Sequence, residues 1–389
     1  MNSISHDASR PQPALGAGED PNLKARALLP LHRSWAESRQ VAQQVRPVVA
    51  RSWQRAGDYR ATVNPLDSGD LNERRQAHRE LQLLLPLFKE RLLATASDAQ
   101  NQLVISDGAG YVLWVLGPFA VRRRSDGIGF VQGARWREND VGTNGIGAAM
   151  AEKVPVQIFG PEHAREEQHS WVCTSAPIMG PGGDRLLGTI TLSGSYRTAH
   201  PHTLSLLSAV LGEARGELAR AEQSRLQRLV DSTQLPDGGY VLVDEQGTVA
   251  AQRGFVLAQQ LSLPAALGQA PSWVPGLGVV NARQVPGGWI LAPTASETLL
   301  ELYAQPHPHA VIRVEQGSSE IALSHRHWQI LRLLAQHPQG VEAEQLRDLW
   351  PSPASAITVR AEISRLRSRL GGLIGSRPYR LLVPARFVD

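Results

Sequence analysis

Thr358-Val359-Arg360-Ala361-Glu362-Ile363-Ser364-Arg365-Leu366-Arg367-Ser368-Arg369-Leu370 reads as one helix with two unlike faces. At about 100° per residue, Val359, Ile363, Leu366 and Leu370 fall on one stripe. Thr358, Ala361, Glu362, Arg365, Ser368 and Arg369 fall opposite, with Arg360 and Arg367 at the border. The first stripe requires a core. The second is small and basic, a surface that can enter a groove and meet phosphates. From residue 354 onward seven Arg stand against Glu362 and Asp389, so the net is 7 − 2 = +5. The whole chain carries a formal +4, so this tail supplies its entire positive balance.

Working outward from that helix, Ser324 is a helix cap for a run to about Gln336. Trp328, Ile330, Leu331, Leu333 and Leu334 give that run an apolar side, and His337-Pro338-Gln339-Gly340 stops it. A short helix follows over about Glu342 to Trp350, broken at Pro351-Ser352-Pro353. After Gly371-Gly372, Leu373-Ile374 and Tyr379–Val383 flank Gly375-Ser376-Arg377-Pro378 as a hairpin. Three helices and a basic hairpin are the plan of a winged helix-turn-helix, a reader of double-stranded DNA.

These segments, with Glu344-Gln345-Leu346-Arg347-Asp348-Leu349-Trp350 and Tyr379-Arg380-Leu381, resemble the effector domain of OmpR/PhoB-type response regulators over about residues 310–389. The resemblance implies that Thr358–Leu370 is the recognition helix and that Arg377–Arg380 is the wing. The expected DNA-facing set is Thr358, Arg360, Ala361, Ser364, Arg365, Arg367, Ser368 and Arg369, with Arg377, Tyr379 and Arg380 behind them. The N-terminal sheet usual to that domain is expected here in reduced form, as Val311–Val314 and Glu320–Leu323.

Upstream, residues 71–97 read as an amphipathic helix interrupted at Pro86. Gln102–Ser106 and Tyr111–Leu116 are apolar runs around Asp107-Gly108-Ala109-Gly110, a hairpin signal. Val154–Phe159, Trp171–Met179 and Leu186–Ser193 are further strands. Residues 202–231 form a long helix bearing Leu204, Leu207, Leu211, Ala214, Leu218 and Ala221, a spacing suited to packing on another helix and so to dimerisation. The expected fold class is multidomain α+β. Residues 1–30 are a disordered tail and 31–70 a helical segment. Residues 71–231 are a GAF-like sensor with an antiparallel sheet, 237–308 a small β-rich connector, and 310–389 the winged helix. Strands in the connector are expected at Tyr240–Val243, Thr248–Ala251, Val279–Asn281 and Trp289–Leu291.

The stretch Trp136-Arg137-Glu138-Asn139-Asp140-Val141-Gly142-Thr143-Asn144-Gly145-Ile146-Gly147 stands out. So do Gly160-Pro161-Glu162-His163, then His169, Trp171, Cys173 and Ala176-Pro177-Ile178, and Gly188-Thr189-Ile190-Thr191-Leu192-Ser193-Gly194. With Arg51-Ser52-Trp53-Gln54-Arg55 they resemble the GAF-containing sensor region of acetoin-catabolism (AcoR-type) regulators over about residues 45–230. That implies a module responsive to a small organic metabolite. Those activators usually continue into an ATPase module. No Gly-x-x-x-x-Gly-Lys-Ser/Thr loop occurs here, so control is expected without ATP hydrolysis. Gly142, Gly145 and Gly147 follow no strand and have no acidic partner at the dinucleotide-binding distance, so a tight turn capping a helix is the better reading.

Trp136, Thr143, Asn144, His169, Trp171, Cys173 and Ser175 are the expected lining of a ligand pocket. His163, His169 and Cys173 are an alternative metal or redox set, since imidazole and thiolate suit zinc or iron. No resident cofactor is expected. No nucleophile context such as Gly-x-Ser-x-Gly occurs, so an enzyme is not expected. Cys173 is the one cysteine, which excludes an internal disulfide framework and fits a reducing cytoplasm. No apolar run follows the first Met and no 18-residue apolar run occurs, so neither a signal peptide nor a membrane span is expected. The reading is a cytoplasmic, homodimeric, ligand-responsive transcription regulator. The alternative is a protein-binding scaffold whose basic domain contacts RNA polymerase or another regulator.

Overall fold

The computed structural model describes residues 13–388 except 17, 58, 60–62, 256, 266, 270, 294–297, 315–316, 351–354, 371–372 and 376–377. The chain is α+β, its sheets almost wholly antiparallel, and divides into two compact units, Met1–Glu222 and Gln223–Asp389. Among the described residues no helix is long and apolar enough to cross a membrane.

The first unit begins earlier than composition suggests. Asp20 accepts hydrogen bonds from the N–H groups of Asn22 and Leu23, and Pro21 opens α1 (Pro21–Ser38). Ala14 and Leu15 are buried with Phe159 and Val172, and the Ala14 N–H donates to Gln157 Oε1 at 3.0 Å. The described part of the expected tail, residues 1–30, is therefore packed structure; residues 1–12 lie outside the described residues. A Pro- and Ala-rich composition lowered the apparent periodicity, but a capped helix with Trp35 at its end still finds a core. α2 (Pro47–Ala56) joins that core through Val48, Val49 and Trp53.

The expected helix over 71–97 is several pieces: α3 (Ser68–Ala77), α4 (Arg79–Phe88), a π turn (Lys89–Leu93) and α5 (Ala94–Asp98). Pro86 removes one N–H from the ladder, and the helix widens just after it. Then come β1 (Asn101–Asp107), β2 (Val112–Leu116), α6 (Phe119–Asp126), α7 (Glu138–Val141), α8 (Gly145–Glu152), β3 (Val156–Phe159), β4 (Trp171–Met179) and β5 (Leu186–Ser195). The strands make one sheet in the order β2-β1-β5-β4-β3.

One face of this sheet is apolar. Leu103, Ile105, Ala176, Ile178, Ile190 and Leu192 meet Leu81, Leu84, Phe88 and Leu92 from the preceding helices. They also meet Leu207, Val210, Ala214 and Leu218 of α9 (His202–Asp231). The seam expected to dimerise is thus engaged within its own chain: Leu207 is 0% and Ala214 1% exposed. A 3-4 spacing specifies a partner surface, and here a sheet supplies it. The last part of α9 belongs to the second unit, where Leu229 joins Tyr240 and Leu242.

In the second unit, β6 (Tyr240–Asp244), β7 (Val249–Arg253), β8 (Ser272–Val274), β9 (Gly278–Val285) and β10 (Gly288–Pro293) form a second five-stranded sheet in the order β7-β6-β10-β9-β8. Numbered locally, both orders are 2-1-5-4-3. The first hairpins match as well. Asp107 Oδ1 accepts from the N–H groups of Ala109 and Tyr111 at 2.9 Å, and Asp244 Oδ1 from those of Gln246 (2.9 Å) and Thr248 (2.7 Å). Gly110 and Gly247 close the two turns at φ of 85° and 86°, a region that glycine tolerates best. Both aspartates are fully buried, each paired with an arginine from a helix earlier in the chain, Arg74 of α3 or Arg225 of α9.

A third sheet, β13-β12-β11-β14, uses β11 (Leu299–Tyr303), β12 (His309–Val314), β13 (Gly317–Ala322) and β14 (Ala385–Val388). The reduced two-strand sheet expected here is corrected by it. Leu299–Tyr303, read as connector, belongs to this sheet, and β14 pairs with it in parallel. Glu301 fixes the arrangement from a fully buried position, accepting from Tyr303, Arg313 and Arg386. Burial would raise its pKa, but the Arg386, Arg313 and Tyr303 hydrogen bonds hold it below the ordinary carboxylate value. The helices are α10 (His325–Gln336), α11 (Ala343–Arg347) and α12 (Ala356–Leu370). Trp273 and Val279 of the second sheet share their core, so the β-rich segment is packed into the C-terminal unit rather than strung before it as a separate connector.

Candidate functional site

The motif Arg51-Ser52-Trp53-Gln54-Arg55 lies on α2 and clamps it to the segment carrying Glu138 and Thr143. Ser52 Oγ donates to Glu138 Oε1 at 2.5 Å, and the Thr143 hydroxyl lies 2.8 Å away. Arg55 reaches Glu138 through Nε at 2.7 Å and Nη2 at 3.0 Å. Arg51 and Arg55 both pair with Glu152. Burial would raise the Glu152 pKa, yet the two guanidinium groups outweigh it and lower it. Nearby, Trp53 Nε1 donates to the Glu162 carbonyl, and Arg46 grips the Glu162 carboxylate with Nε and Nη2. An open cleft of about 520 Å³ lies beside this clamp, lined by Arg55, Arg137, Glu138, Asn139, Gly147 and Met150.

None of the seven expected pocket residues lines that cleft. Trp136 is buried against Phe130 and donates its indole N–H to the Gly129 carbonyl. Asn144 caps α8, accepting from the Gly147 N–H at 3.0 Å, as the turn-and-cap reading of the glycine stretch requires. Thr143 belongs to the clamp. Trp171 lies under the Arg124 guanidinium, 4.9 Å from its ring centre. Cys173 and Ser175 share the polar face of the first sheet, where Ser106–Thr189 (2.7 Å), Ser175–Thr191 (2.8 Å) and Cys173–Ser193 (3.3 Å) pair across strands. α8 seals that face: a Cβ on Gly145 would sit 2.4 Å from Ser175 Oγ. Burial pushes the Cys173 thiol up to about 11, so it is an unreactive thiol at neutral pH.

His169 goes elsewhere. Its ring lies 4.4 Å from that of His32 on α1, edge to face. His32 Nε2 contacts the Ala164 carbonyl and His163 Nδ1 the Gly160 carbonyl, both at 3.0 Å. Each of those nitrogens donates, and in the neutral ring of His163 the opposite nitrogen is a bare lone pair. His32 Nδ1, His163 Nε2 and His169 Nε2 are all buried without a hydrogen-bond partner, as are both side-chain polar atoms of Gln168. Burial first, then neighbouring histidines, lower His163 and His169 to about 4, so both are neutral at pH 7. Among the described residues no group of three His, Cys, Asp or Glu is arranged to hold a metal ion. The alternative set of His163, His169 and Cys173 is corrected accordingly: Cys173 is committed to the sheet face and His169 to the histidine cluster. Sequence reasoning missed His32: it lies in the segment expected to be helical, but no motif there links it to His163 and His169, more than 130 residues on.

In the C-terminal unit, Ser324 caps α10 by accepting from the His327 N–H at 3.1 Å. α12 buries Val359, Ile363, Leu366 and Leu370 completely or nearly so. Thr358, Arg360, Ala361, Ser364, Arg365 and Arg369 are exposed. Arg365 also pairs with Glu362, whose other oxygen lies 2.8 Å from His327 Nε2 and ties α12 to α10. Arg367, expected at the border, turns inward: it donates to the carbonyls of Ile374 (3.1 Å) and Gly375 (2.7 Å) and stacks over Tyr379. It holds the following segment, where Ile374 bridges Leu381 and Tyr379 bridges Val341. Arg380 is exposed. The side chain of Ser368 and all of Arg377 lie outside the described residues.

The MimR N-terminal domain family matches residues 37–215. A Rhodococcus erythropolis protein described as an uncharacterized 47.3 kDa protein in the thcA 5′ region is 30% identical, over 96% of this chain and 74% of its own length. The acetoin dehydrogenase operon transcriptional activator AcoR of Bacillus subtilis is 32% identical over 48% of this chain and 32% of its own length. The propane 2-monooxygenase operon transcriptional activator MimR of Mycolicibacterium goodii is 30% identical over 40% of this chain. The match spans 27% of MimR, so the chain covers less than a third of either named activator.

Proposed function

This chain belongs to the family of the uncharacterized 47.3 kDa Rhodococcus erythropolis protein, and we propose that it is a one-component, ligand-responsive transcription regulator that binds double-stranded DNA. Its first unit carries the domain it shares with AcoR and MimR, and it is the sensor. Its C-terminal helices and the segment after them act as a winged helix-turn-helix, with α12 in the major groove. The observation that carries this reading is α12 itself: one face is buried, and the other offers Arg360, Arg365 and Arg369 to solvent. Thr358, Ala361 and Ser364 lie between them, Arg380 reaches phosphate from behind, and Arg367 with Tyr379 positions that segment.

The signal site is the histidine cluster. Buried imidazole nitrogens without partners are costly, and a small molecule bearing hydroxyl or N–H groups satisfies them. The 389 residues contain no phosphate-binding loop for ATP hydrolysis, so the signal acts through conformation or DNA affinity. The protein works as a homodimer on paired half-sites, joined elsewhere than the α9 seam; light scattering at micromolar concentration checks this.

A gel-shift series over salt tests the DNA reading. Random duplex should be retained with a steep salt dependence, and Arg360→Ala should lower the slope by about 1. Arg365→Ala should relax base preference, costing about 1–3 kcal/mol at one position. No retention at low salt overturns the reading. It would favour a scaffold that contacts RNA polymerase through the exposed Leu382 and Phe387 (54% and 45%). Thermal shift against small metabolites tests the sensor; a His169→Ala protein that responds fully removes the histidine cluster from it.

A further inference from the structure

Ile357 lies at the start of α12 and is 77% exposed, the most exposed of the large apolar side chains among the described residues. A β-branched side chain facing water gives nothing to folding, and the other large apolar residues of this helix are buried. On the helix wheel Ile357 lies opposite the centre of the buried stripe of Val359, Ile363, Leu366 and Leu370. Ala361 and Ser364 follow it along the outermost line. Arg360 flanks that line on one side, Arg365 and Arg369 on the other. Arg360 and Arg369 are therefore set to grip the groove walls, Arg365 stays beside the line within reach of a base edge, and the residue aimed straight at the floor, in the first turn of the helix, is apolar. Ser355 holds that end, accepting from the Thr358 N–H at 3.1 Å.

We propose that Ile357 is a specificity-determining residue that contacts the C5-methyl group of a thymine in the major groove. This rests on the DNA-binding reading above. A thymine methyl is the one apolar feature that base edges present in that groove, so it is the occupant an exposed isoleucine between arginines fits. The contact adds discrimination and little affinity, because the arginines supply the salt-dependent binding.

The experiment selects preferred sites from random duplex DNA with the full chain and with Ile357→Ala. Each thymine of the selected site is then replaced in turn by deoxyuridine, which lacks only the methyl. At one thymine in each half-site, the replacement should weaken the unmodified chain about fourfold and leave Ile357→Ala unaffected. Both proteins should show the same salt slope and bind random duplex equally. If every deoxyuridine duplex binds the unmodified chain as well as thymine does, or if Ile357→Ala keeps the same thymine preference, the assignment is wrong. If neither protein binds any duplex at low salt, the DNA reading itself has failed, an outcome distinct from salt-dependent binding without a methyl effect.

Discussion

The β1–β5 and β6–β10 sheets share a strand order and the same aspartate-closed first hairpin, yet differ in what faces their interiors. In the first, one face is apolar and covered by α4 and α9, while the other pairs Ser, Thr and Cys hydroxyls and thiol across strands. In the second, the buried set is almost entirely Val, Leu and Ile, and Trp273 and Val279 join the C-terminal core. Topology and hairpin come from short-range chemistry, which an Asp, a Gly and an Arg can repeat. What a sheet packs against depends on its lining, and among the described residues the cross-strand hydroxyl and thiol pairs lie on the first.

The largest expected effects test the shared hairpin. Asp107→Ala leaves the Arg74 charge and two N–H groups without their acceptor, and should destabilise its unit by about 3–5 kcal/mol. Peptide-resolved hydrogen exchange should quicken over residues 101–116 but not 240–253, and Asp244→Ala should do the reverse. If either substitution loosens both sheets equally, the hairpins are not independent devices.

Next comes the histidine cluster, which belongs to the first unit. Unfolded His163 takes its proton near pH 6.5, and the folded one only near 4. As pH falls through that window the unfolded state gains protons first, so stability is full above about 6.5 and declines towards 4. The decline for His163 should reach about 3 kcal/mol. His163→Gln should flatten the pH dependence of the urea midpoint; an unchanged slope would mean that the nitrogen is not buried in solution.

A smaller effect probes the polar face. Gly145→Ala places a methyl 2.4 Å from Ser175 Oγ and 2.7 Å from Cys173 Cβ, and should cost about 2 kcal/mol in urea unfolding. Adding Ser175→Gly should recover part of it, whereas full additivity would show that α8 does not press on the sheet there. The smallest effect concerns the clamp. Glu138→Gln keeps an acceptor for Ser52 but weakens the half-exposed Arg55 pair, for about 1 kcal/mol. Limited proteolysis should then free α2 before the sheet opens.

The strands of the first sheet were legible because apolar runs between Asp-Gly turns are local signals: Trp171–Met179 was read at the ends it has in the structure. The helices of the C-terminal unit were legible for the same reason, through Ser324 and the apolar stripe of α12. The clamp was visible as a motif, Arg51 to Arg55, but its partners Glu138 and Glu152 lie 83 to 101 residues away, and no spacing connects them. The pocket fared worst. Trp136, Asn144 and Trp171 are distinctive residue types that turned out to pack, cap and stack. His32 was hidden because a lone histidine in a helical segment carries no local sign of partners more than 130 residues away.

By itself the sequence determined the composition of the faces: a basic outer surface on Thr358–Leu370, an apolar inner one, and strand runs punctuated by turns. Those follow from local periodicity and backbone preference. The tertiary structure decided which faces meet. It turned the α9 seam onto a sheet, drew Leu299–Tyr303 and Ala385–Val388 together, took Arg367 away from the outer face and gathered three histidines from two distant segments. Burial and pairing between residues far apart in the chain are collective outcomes of packing, and no single stretch contains its partner's coordinates.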